Sequence, residues 1–242
     1  MATTPFISIT NLVEYATTPS ASRRRQIIEQ YHNPQLVRFD WHGASDAIFT
    51  AKVCHSENAE SLIDAEKQRL KSQLCGNPKK EKRPRHILDL VELLETSDLE
   101  KVIVGVSASS ASLLPADVRF HALTVRFRPN VILRRRREGK KYSEFGIAKC
   151  HNLSSYRLGA TAAKLYATAL NIYAEKVMSD CDIQPDLCRI YDLYTDEVFS
   201  APRGQKKLRT LLDDAAQEVS DRWFTVGERL VERRRREGKW RG

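Results

Sequence analysis

The sequence lacks long apolar runs and paired cysteines. No uninterrupted apolar stretch approaches the roughly 18 residues that a membrane-spanning helix requires. Residues 1–6 carry no basic region followed by an apolar one, so we expect no signal peptide. The five cysteines are odd in number and include no CxxC pair, which favours reduced thiols. We therefore expect a cytoplasmic protein without a membrane partner.

Recognisable catalytic and nucleotide-binding motifs are also missing from the sequence. It contains no P-loop, GxGxxG, GxSxG or HExxH, and the six histidines are scattered. It contains no RNP-type aromatic motif and no C2H2 zinc finger. These absences exclude the common nucleotide-binding enzymes, serine hydrolases and zinc peptidases, and we expect no cofactor.

The charge of the chain is concentrated in three short blocks. The 242 residues are 41% hydrophobic and 29% charged, with a net charge of +9, which is ordinary for a globular protein of one large or two small domains. Residues 79–85, 134–141 and 232–241 carry +4, +5 and +4, or +13 together. The rest of the chain is therefore about −4, since +9 minus +13 is −4. Local basicity of this kind is typical of a phosphate-binding surface.

The segment Arg-Arg-Arg-Arg-Glu-Gly-Lys occurs twice, at residues 134–140 and 233–239. The first copy lies between two predicted strands, residues 122–133 and 142–151, and its glycine favours a tight turn. Cations at this density on a hairpin tip favour a polyanionic partner. We therefore predict contacts with the phosphates of DNA or RNA from Arg134, Arg135, Arg136, Arg137, Lys140, Lys141, Arg233, Arg234, Arg235, Arg236, Lys239, Lys79, Lys80, Lys82, Arg83 and Arg85.

The pattern of apolar residues and breakers predicts an α+β protein in three parts. Residues 1–78 form a helical N-terminal region, residues 79–85 a basic linker, and residues 86–242 an α/β-like domain with a long C-terminal helix and a basic tail. Helices are predicted at 21–31, 44–55, 58–74, 86–94, 153–178 and 205–235. Strands are predicted at 102–106, which could also be a buried connector, at 118–133, at 142–150 and at 187–199 with a turn near 195–197. The strand at 118–133 breaks at Pro129, which allows an edge position or a bulge. Residues 107–114 are predicted as a loop.

The order of elements after residue 86 resembles the core of the PD-(D/E)xK, or restriction-endonuclease-like, superfamily. The resemblance covers roughly the last 150 residues and depends on topology more than on residues. It implies a mixed-sheet core flanked by helices, with one acid on the second core strand and an acid-x-Lys triplet on the third. In that superfamily the acids hold Mg²⁺ and the lysine helps to orient the attacking water. Lys149 matches the lysine of the triplet.

The acids that the resemblance requires are not at the corresponding positions. The strand acid falls near Asn130, which is neutral, and the position two before Lys149 is Ile147. Glu144 is close in sequence, but strand alternation places it on the face opposite Lys149. A catalytic set of Lys149, Asn130 and Glu92, the last on the preceding helix, is what remains for a magnesium-dependent reaction.

Three hypotheses follow from these observations. The first is a nucleic-acid-binding protein that contacts backbone phosphates on a degenerate nuclease-like scaffold, in a bacterial nucleic-acid-processing or antiviral defence system. The second is an active Mg²⁺-dependent nuclease of the PD-(D/E)xK type. The third is a non-catalytic adaptor whose arginines meet acidic proteins or a guide RNA in a larger assembly.

Overall fold

The computed structural model describes residues 4–32, 43–74, 76, 78–136, 139, 143–153 and 156–237, with only the backbone of residues 78–80. Helices and mixed sheets combine in an α+β fold, as the sequence predicts. Among the described helices, none has the length and apolar character to cross a membrane. In chain order the elements are β1 Phe6–Ser8, α1 Ile9–Thr17, α2 Ala21–Tyr31, α3 Gly43–Val53, α4 Ala59–Ser72, α5 Pro78–Thr96, α6 Glu100–Ile103, β2 Ser107–Ser110, β3 Asp117–Phe120, β4 Leu123–Arg126, β5 Val131–Arg135, β6 Glu144–His151, α7 Ala160–Val177, β7 Asp182–Ile183, β8 Arg189–Asp192, β9 Glu197–Ser200 and α8 Lys206–Arg236.

The chain forms two compact units, and each is discontinuous in sequence. The first unit contains Met1–Phe39, Ala116–Phe127 and Gln205–Gly242, and the second contains Asp40–Pro115 and Arg128–Gly204. This division differs from the consecutive regions 1–78 and 86–242 expected from the sequence. The reason is that composition marks local breaks, whereas β1 pairs with β4 across more than 100 residues, Phe6 lying opposite Thr124.

The first unit packs three helices on a small sheet. Its strands lie in the order β1-β4-β3, with β1 parallel and β3 antiparallel to β4. Ser8 and Ser20 cap the starts of α1 and α2 through their side-chain oxygens. Helices α1 and α2 contact α8, whose buried face includes the fully buried Trp223. The helical spacing of this face is what the sequence predicts for the C-terminal helix.

Three arginines in the first turn of α2 oppose the helix dipole, and each has an acidic neighbour. Arg23 pairs with Glu14 at 2.6 Å, Arg24 with Glu218 at 3.3 Å and Arg25 with Glu29 at 3.5 Å. These pairs offset the unfavourable dipole interaction, so this basic turn is neutralised within the first unit.

The second unit is built on a larger mixed sheet. Its main path is β2-β5-β6-β8-β9, with β6 and β8 parallel and the other neighbours antiparallel, while β7 pairs with β6. Helices α3, α4, α5 and α6 share one hydrophobic cluster with residues of β5, β6 and β8. Helix α7 contacts β6, β8 and β9. Gly146 of β6 lies against the backbone of Leu187, where any side chain would collide.

Residues 79–85 form the first turns of α5, whereas the sequence suggests a linker there. Pro78 suits the first position of a helix, because its fixed φ is helical and no hydrogen bond is lost there. Lysine and arginine are also good helix formers. Glu81 is buried, and its carboxylate binds Arg85 at 2.7 Å and the backbone N–H of Gly76.

The structure differs from the predictions for residues 107–110 and 118–133. Residues 107–110 of the predicted loop form β2, and the chain at 118–133, predicted as a strand with a break at Pro129, forms the three strands β3, β4 and β5. His121 and Arg128 adopt positive φ of 52° and 48° near these breaks, a conformation that sequence reading associates with glycine or asparagine. Residues 100–103, part of them in the predicted strand 102–106, form the short helix α6.

Candidate nucleic-acid interface and the Lys149 cluster

The first arginine-rich segment continues the β5–β6 hairpin of the second unit. The two strands are antiparallel, and Arg135 lies opposite Glu144 at the last pair of the ladder. Gly139 has a φ of 77°, the left-handed conformation expected for a turn glycine. Of the cations predicted here, Arg134, Arg135 and Arg136 are described, while Arg137, Lys140 and Lys141 lie outside the described residues.

Arg135 is bound by two carboxylates where the strands of this hairpin enter the turn. Its guanidinium lies 2.7 Å from Glu144 and 2.5 Å from Asp186, and its side chain is 19% exposed. The hydrogen bond from Arg135 holds the pKa of the Asp186 carboxyl below its ordinary value. Since Glu144 is itself buried, Arg135 anchors the hairpin and is neutralised there.

Arg134 and Arg136 remain exposed at the same end of the hairpin. The Arg134 Nε donates to Ser143 Oγ at 2.9 Å, and its guanidinium lies 5.9 Å from the centre of the Phe145 ring. Neither arginine forms an ion pair with a carboxylate in the described part of the chain. These two arginines are therefore the candidates at this hairpin for binding an external anion.

The basic segment at the start of α5 is partly neutralised within its own helix. Arg85 pairs with the buried Glu81, and Arg83 also has an interaction partner. Lys82 is exposed, and the side chains of Lys79 and Lys80 lie outside the described residues. This segment offers less unpaired charge than its sequence suggests.

The second arginine-rich segment forms the last turn of α8 in the first unit. Arg233 pairs with Glu29 at 3.1 Å. Arg235 and Arg236 are exposed, Arg234 is half-buried, and Lys239 lies outside the described residues. Cations in a last turn also interact favourably with the negative end of the helix dipole, so these arginines stabilise α8 as well as adding surface charge.

Lys149 lies on β6 in contact with an aspartate that the sequence did not single out. Its ammonium donates to the Arg128 carbonyl at 3.0 Å and lies 3.6 Å from Asp46 Oδ2, with 13% of the side chain exposed. Burial alone lowers the pKa of Lys149, but the Asp46 carboxylate and its hydrogen bond leave a net increase. Lys149 is therefore a charged group held between a carbonyl and a carboxylate.

Asn130 uses both ends of its amide to join structural elements. Its Oδ1 accepts a 2.8 Å hydrogen bond from the backbone N–H of Cys150, and its Nδ2 donates to the Asp46 carbonyl at 3.4 Å. The residue is buried. An amide oxygen used in this way is poorly placed to bind a cation, so Asn130 has a structural role next to Lys149.

Glu92 does not join this cluster. It is exposed on α5, and its charge acts on Lys67 of α4. Of the three predicted catalytic residues, the structure thus places Lys149 and Asn130 around Asp46 and leaves Glu92 on another surface of the unit.

Two buried carboxylate oxygens near Lys149 were missed by sequence reasoning. Asp46 lies in the first turn of α3, and Asp192 is the last residue of β8, opposite His151. Among the described residues, Asp46 Oδ1 and Asp192 Oδ2 are buried without a hydrogen-bond partner. An acid ending a short apolar strand is the only sequence signal that could have drawn attention to Asp192.

His151 lies opposite Asp192 in the β6–β8 register, and burial favours its neutral form. Its Nε2 lies 2.6 Å from the Tyr156 carbonyl, and burial lowers its pKa despite the nearby Asp192 charge. In the described ranges, no three histidine, cysteine, aspartate or glutamate side chains are arranged to hold a metal ion.

Neither a protein-family model nor a curated protein matches this sequence. The resemblance to the PD-(D/E)xK core stays a prediction, based on the order of elements and on Lys149.

Proposed function

We propose that this protein binds nucleic acid through the phosphate backbone, with the β5–β6 hairpin as a principal contact. The observation that carries the proposal is that neighbouring arginines differ in their partners and exposure. Arg135 is bound by Glu144 and Asp186, whereas Arg134 and Arg136 lie exposed without a described carboxylate partner. Arginine binds phosphate oxygens well because its planar guanidinium donates two parallel hydrogen bonds.

Arg135, held by its two carboxylates, supports this function by fixing the chain where β5 enters the turn. A cation on a flexible loop loses conformational entropy when it binds, and a rigid support reduces that cost. The continuous ladder from Val131 to Arg135 and the ion pairs of Arg135 with Glu144 and Asp186 supply such a support. The exposed arginines of the last turn of α8 are a second phosphate-binding group in the proposal.

The same proposal treats the Lys149 cluster as part of a scaffold without catalysis. The superfamily resemblance would put a strand acid near Asn130, and both ends of the Asn130 amide already hold the β6 backbone and α3. Lys149 is bound by the Arg128 carbonyl and Asp46. This cluster therefore stabilises the unit while the arginines bind the backbone.

A magnesium-dependent nuclease is the second candidate, and one observation favours it. The unpartnered oxygens of Asp46 and Asp192 lie in the surroundings of Lys149 and Cys150, and carboxylates beside a lysine are the groups that metal-dependent phosphodiester hydrolysis uses. Incubation of DNA and RNA with Mg²⁺ or Mn²⁺ decides between the two. Cleavage that Lys149→Ala abolishes would establish the enzyme, while binding without cleavage supports the first proposal.

The proposal itself is tested by anisotropy titration of the purified chain with labelled single- and double-stranded DNA and RNA. Unlabelled polyglutamate serves as the competitor control. Competition by nucleic acid but not by polyglutamate at equal charge supports phosphate binding. Equal competition by both would favour the adaptor hypothesis, in which the arginines meet acidic proteins, and would overturn the proposal.

A further inference from the structure

The outer edge of β2 is an open strand edge in the second unit. Strand β2 is the first strand of the path β2-β5-β6-β8-β9, and among the described strands it pairs with β5 alone. Sheet edges are usually protected by charges, prolines or bulges, because unpaired N–H and C=O groups bind other strands. The sequence of β2, Ser-Ala-Ser-Ser, has none of the protective residues.

The direction of the unpaired groups follows from the register. Ala111 N donates to the Asn130 carbonyl, and the Ser107 hydroxyl lies against the Arg134 carbonyl. In the β2–β5 register, Ser107 and Ser109 therefore exchange backbone hydrogen bonds with β5. The N–H and C=O groups of Ala108 and Ser110 then point away from the sheet.

The most exposed large apolar side chains in the described part of the chain flank this strand. Leu113 is 97% exposed and Val104 is 69% exposed, while the next, Phe224, is 54% exposed. Both flanking residues belong to the fifteen residues from 102 to 116, which form the longest run without an Asp, Glu, Lys or Arg in the chain. An uncharged edge flanked by exposed apolar side chains is unusual in a protein that is 29% charged.

We propose that β2 is a self-association edge, at which β2 of a second copy of this chain pairs antiparallel about a twofold axis at Ser109. In this register the outward N–H and C=O groups of Ala108 in one copy form hydrogen bonds with those of Ser110 in the other copy. Val104 and Leu113 lie in the turns on either side of β2, so the exposed apolar side chains of both copies flank the paired strands.

The edge is complementary to itself for two reasons. A twofold axis brings the same surface of the two copies together, with residue i of one copy opposite residue j of the other, so an edge with charges of one sign would repel itself. The segment 102–116 carries no charged side chain, so the pairing has no such cost. The product is one continuous sheet in the order β9-β8-β6-β5-β2-β2-β5-β6-β8-β9.

A pair of four-residue strands is a small interface, so the association is weak. Interfaces below about 1,200 Å² of total buried surface are typical of transient complexes. Sedimentation across a wide range of protein concentration should show a monomer–dimer equilibrium without nucleic acid. The dimer fraction should not fall between about 50 and 500 mM salt, because the segment 102–116 has no charged side chain whose attraction salt could screen.

Disulfide cross-linking tests the register directly. A residue on the twofold axis in a non-hydrogen-bonded pair has a Cα–Cα distance of about 4.5 Å, within the range for a disulfide. Ser109→Cys should therefore form a covalent dimer on mild oxidation. Ser107→Cys is the matched control, since it is exposed on the same strand but about 13 Å from its symmetry mate. Wild type sets the background from the partly exposed Cys54 and Cys181.

Two further variants test the apolar and backbone contacts. Leu113→Lys should weaken dimerisation about tenfold or more, and Ser110→Pro removes an outward N–H that β5 does not use. Leu62→Lys, at an exposed leucine of α4, is the control and should dimerise as wild type does. A protein that stays monomeric, a dimer that salt dissociates, or Ser109→Cys that cross-links no better than Ser107→Cys would overturn the proposal.

Discussion

Asp46 Oδ2 lies 3.6 Å from Lys149 Nζ, joining the first turn of α3 to the middle of the sheet. The two residues are more than 100 positions apart in the sequence. Lys149 also donates to the carbonyl of Arg128, a residue with the unusual φ of 48°. This relationship explains why a lysine can lie 13% exposed on a central strand, since a partly buried charge requires both a counter-charge and hydrogen bonds.

Removing either member of this pair should lower the stability of the second unit. Lys149→Met leaves the Asp46 carboxylate without its cation, and we expect a loss of about 1–3 kcal/mol in the free energy of unfolding. Asp46→Asn should cost less, because the amide can still accept a hydrogen bond from Lys149. Urea denaturation of the two single variants and the double variant gives the coupling energy. Additive effects of the two substitutions would show that the contact contributes nothing.

Introducing an acid at position 130 should destabilise the protein and should not produce a nuclease. In Asn130→Asp, a carboxylate oxygen replaces the Nδ2 group that donates to the Asp46 carbonyl at 3.4 Å, so an attraction becomes a repulsion. We expect a loss of about 1–3 kcal/mol. Thermal denaturation measures the loss, and a plasmid-nicking assay with Mg²⁺ measures activity. A stable variant that cleaves DNA would contradict the structural role of Asn130.

Arg135 should matter for stability, whereas Arg134 and Arg136 should matter for binding. Arg135→Met leaves the buried Glu144 without its cation, so we expect a loss of about 2–4 kcal/mol. Arg134→Ala with Arg136→Ala should leave the melting temperature nearly unchanged and weaken binding to any oligonucleotide. The matched control is Arg69→Ala, at an exposed arginine paired with Glu66 on α4, which should bind as wild type does.

Acid should weaken the ion pair between Asp186 and Arg135 and so lower the stability of the second unit. The pKa of Asp186 is lowered by its hydrogen bond to Arg135, so the contribution of this pair is present above the unfolded-state pKa of about 3.9. It is lost as the pH falls through the lower folded-state pKa. Asp186→Asn should therefore remove part of the acid sensitivity seen in equilibrium unfolding between about pH 5 and 2. Identical pH profiles for wild type and Asp186→Asn would show that the carboxylate does not act in this way.

His32 should make the first unit less stable in mild acid. Its ring lies 4.5 Å from the Trp223 ring, its Nε2 lies 3.0 Å from the Trp223 carbonyl, and burial lowers its pKa. A lowered pKa means that the contribution to stability is full above the unfolded-state value of about 6.5 and is lost as the pH falls. Unfolding monitored by Trp fluorescence between about pH 8 and 5 should show this loss, and His32→Gln should flatten it.

Gly227 provides an independent check on the same packing. A Cβ at this position would lie 2.7 Å from His32 Cε1, so Gly227→Ala should destabilise the unit. The direction is informative, because alanine in a helix is otherwise favoured over glycine by about 1 kcal/mol. Combining Gly227→Ala with His32→Ala should restore stability. A stabilised single variant would show that the ring and the helix are not in contact.

The sequence predicted elements whose signals are local. Helix α2 begins at the Ser20 cap, and α8 buries Leu212, Val219, Trp223 and Leu230 at the predicted spacing. The three-strand segment was missed because His121 and Arg128 turn the chain without glycine. The carboxylate partner of Lys149 was missed because Asp46 reaches it only through tertiary packing. Charge clusters were visible in the sequence, but the loss of Arg135 and Arg85 to internal ion pairs was not.

The most direct test of backbone binding is the dependence of the dissociation constant on salt, measured for one random-sequence duplex. If six to ten phosphates are neutralised, the affinity should fall by about 10³–10⁵ between 50 and 200 mM salt. Replacing both Arg134 and Arg136 with alanine should reduce the slope of log affinity against log salt by about two. A dissociation constant that barely changes over this range, or a variant with the wild-type slope, would contradict phosphate binding at the hairpin.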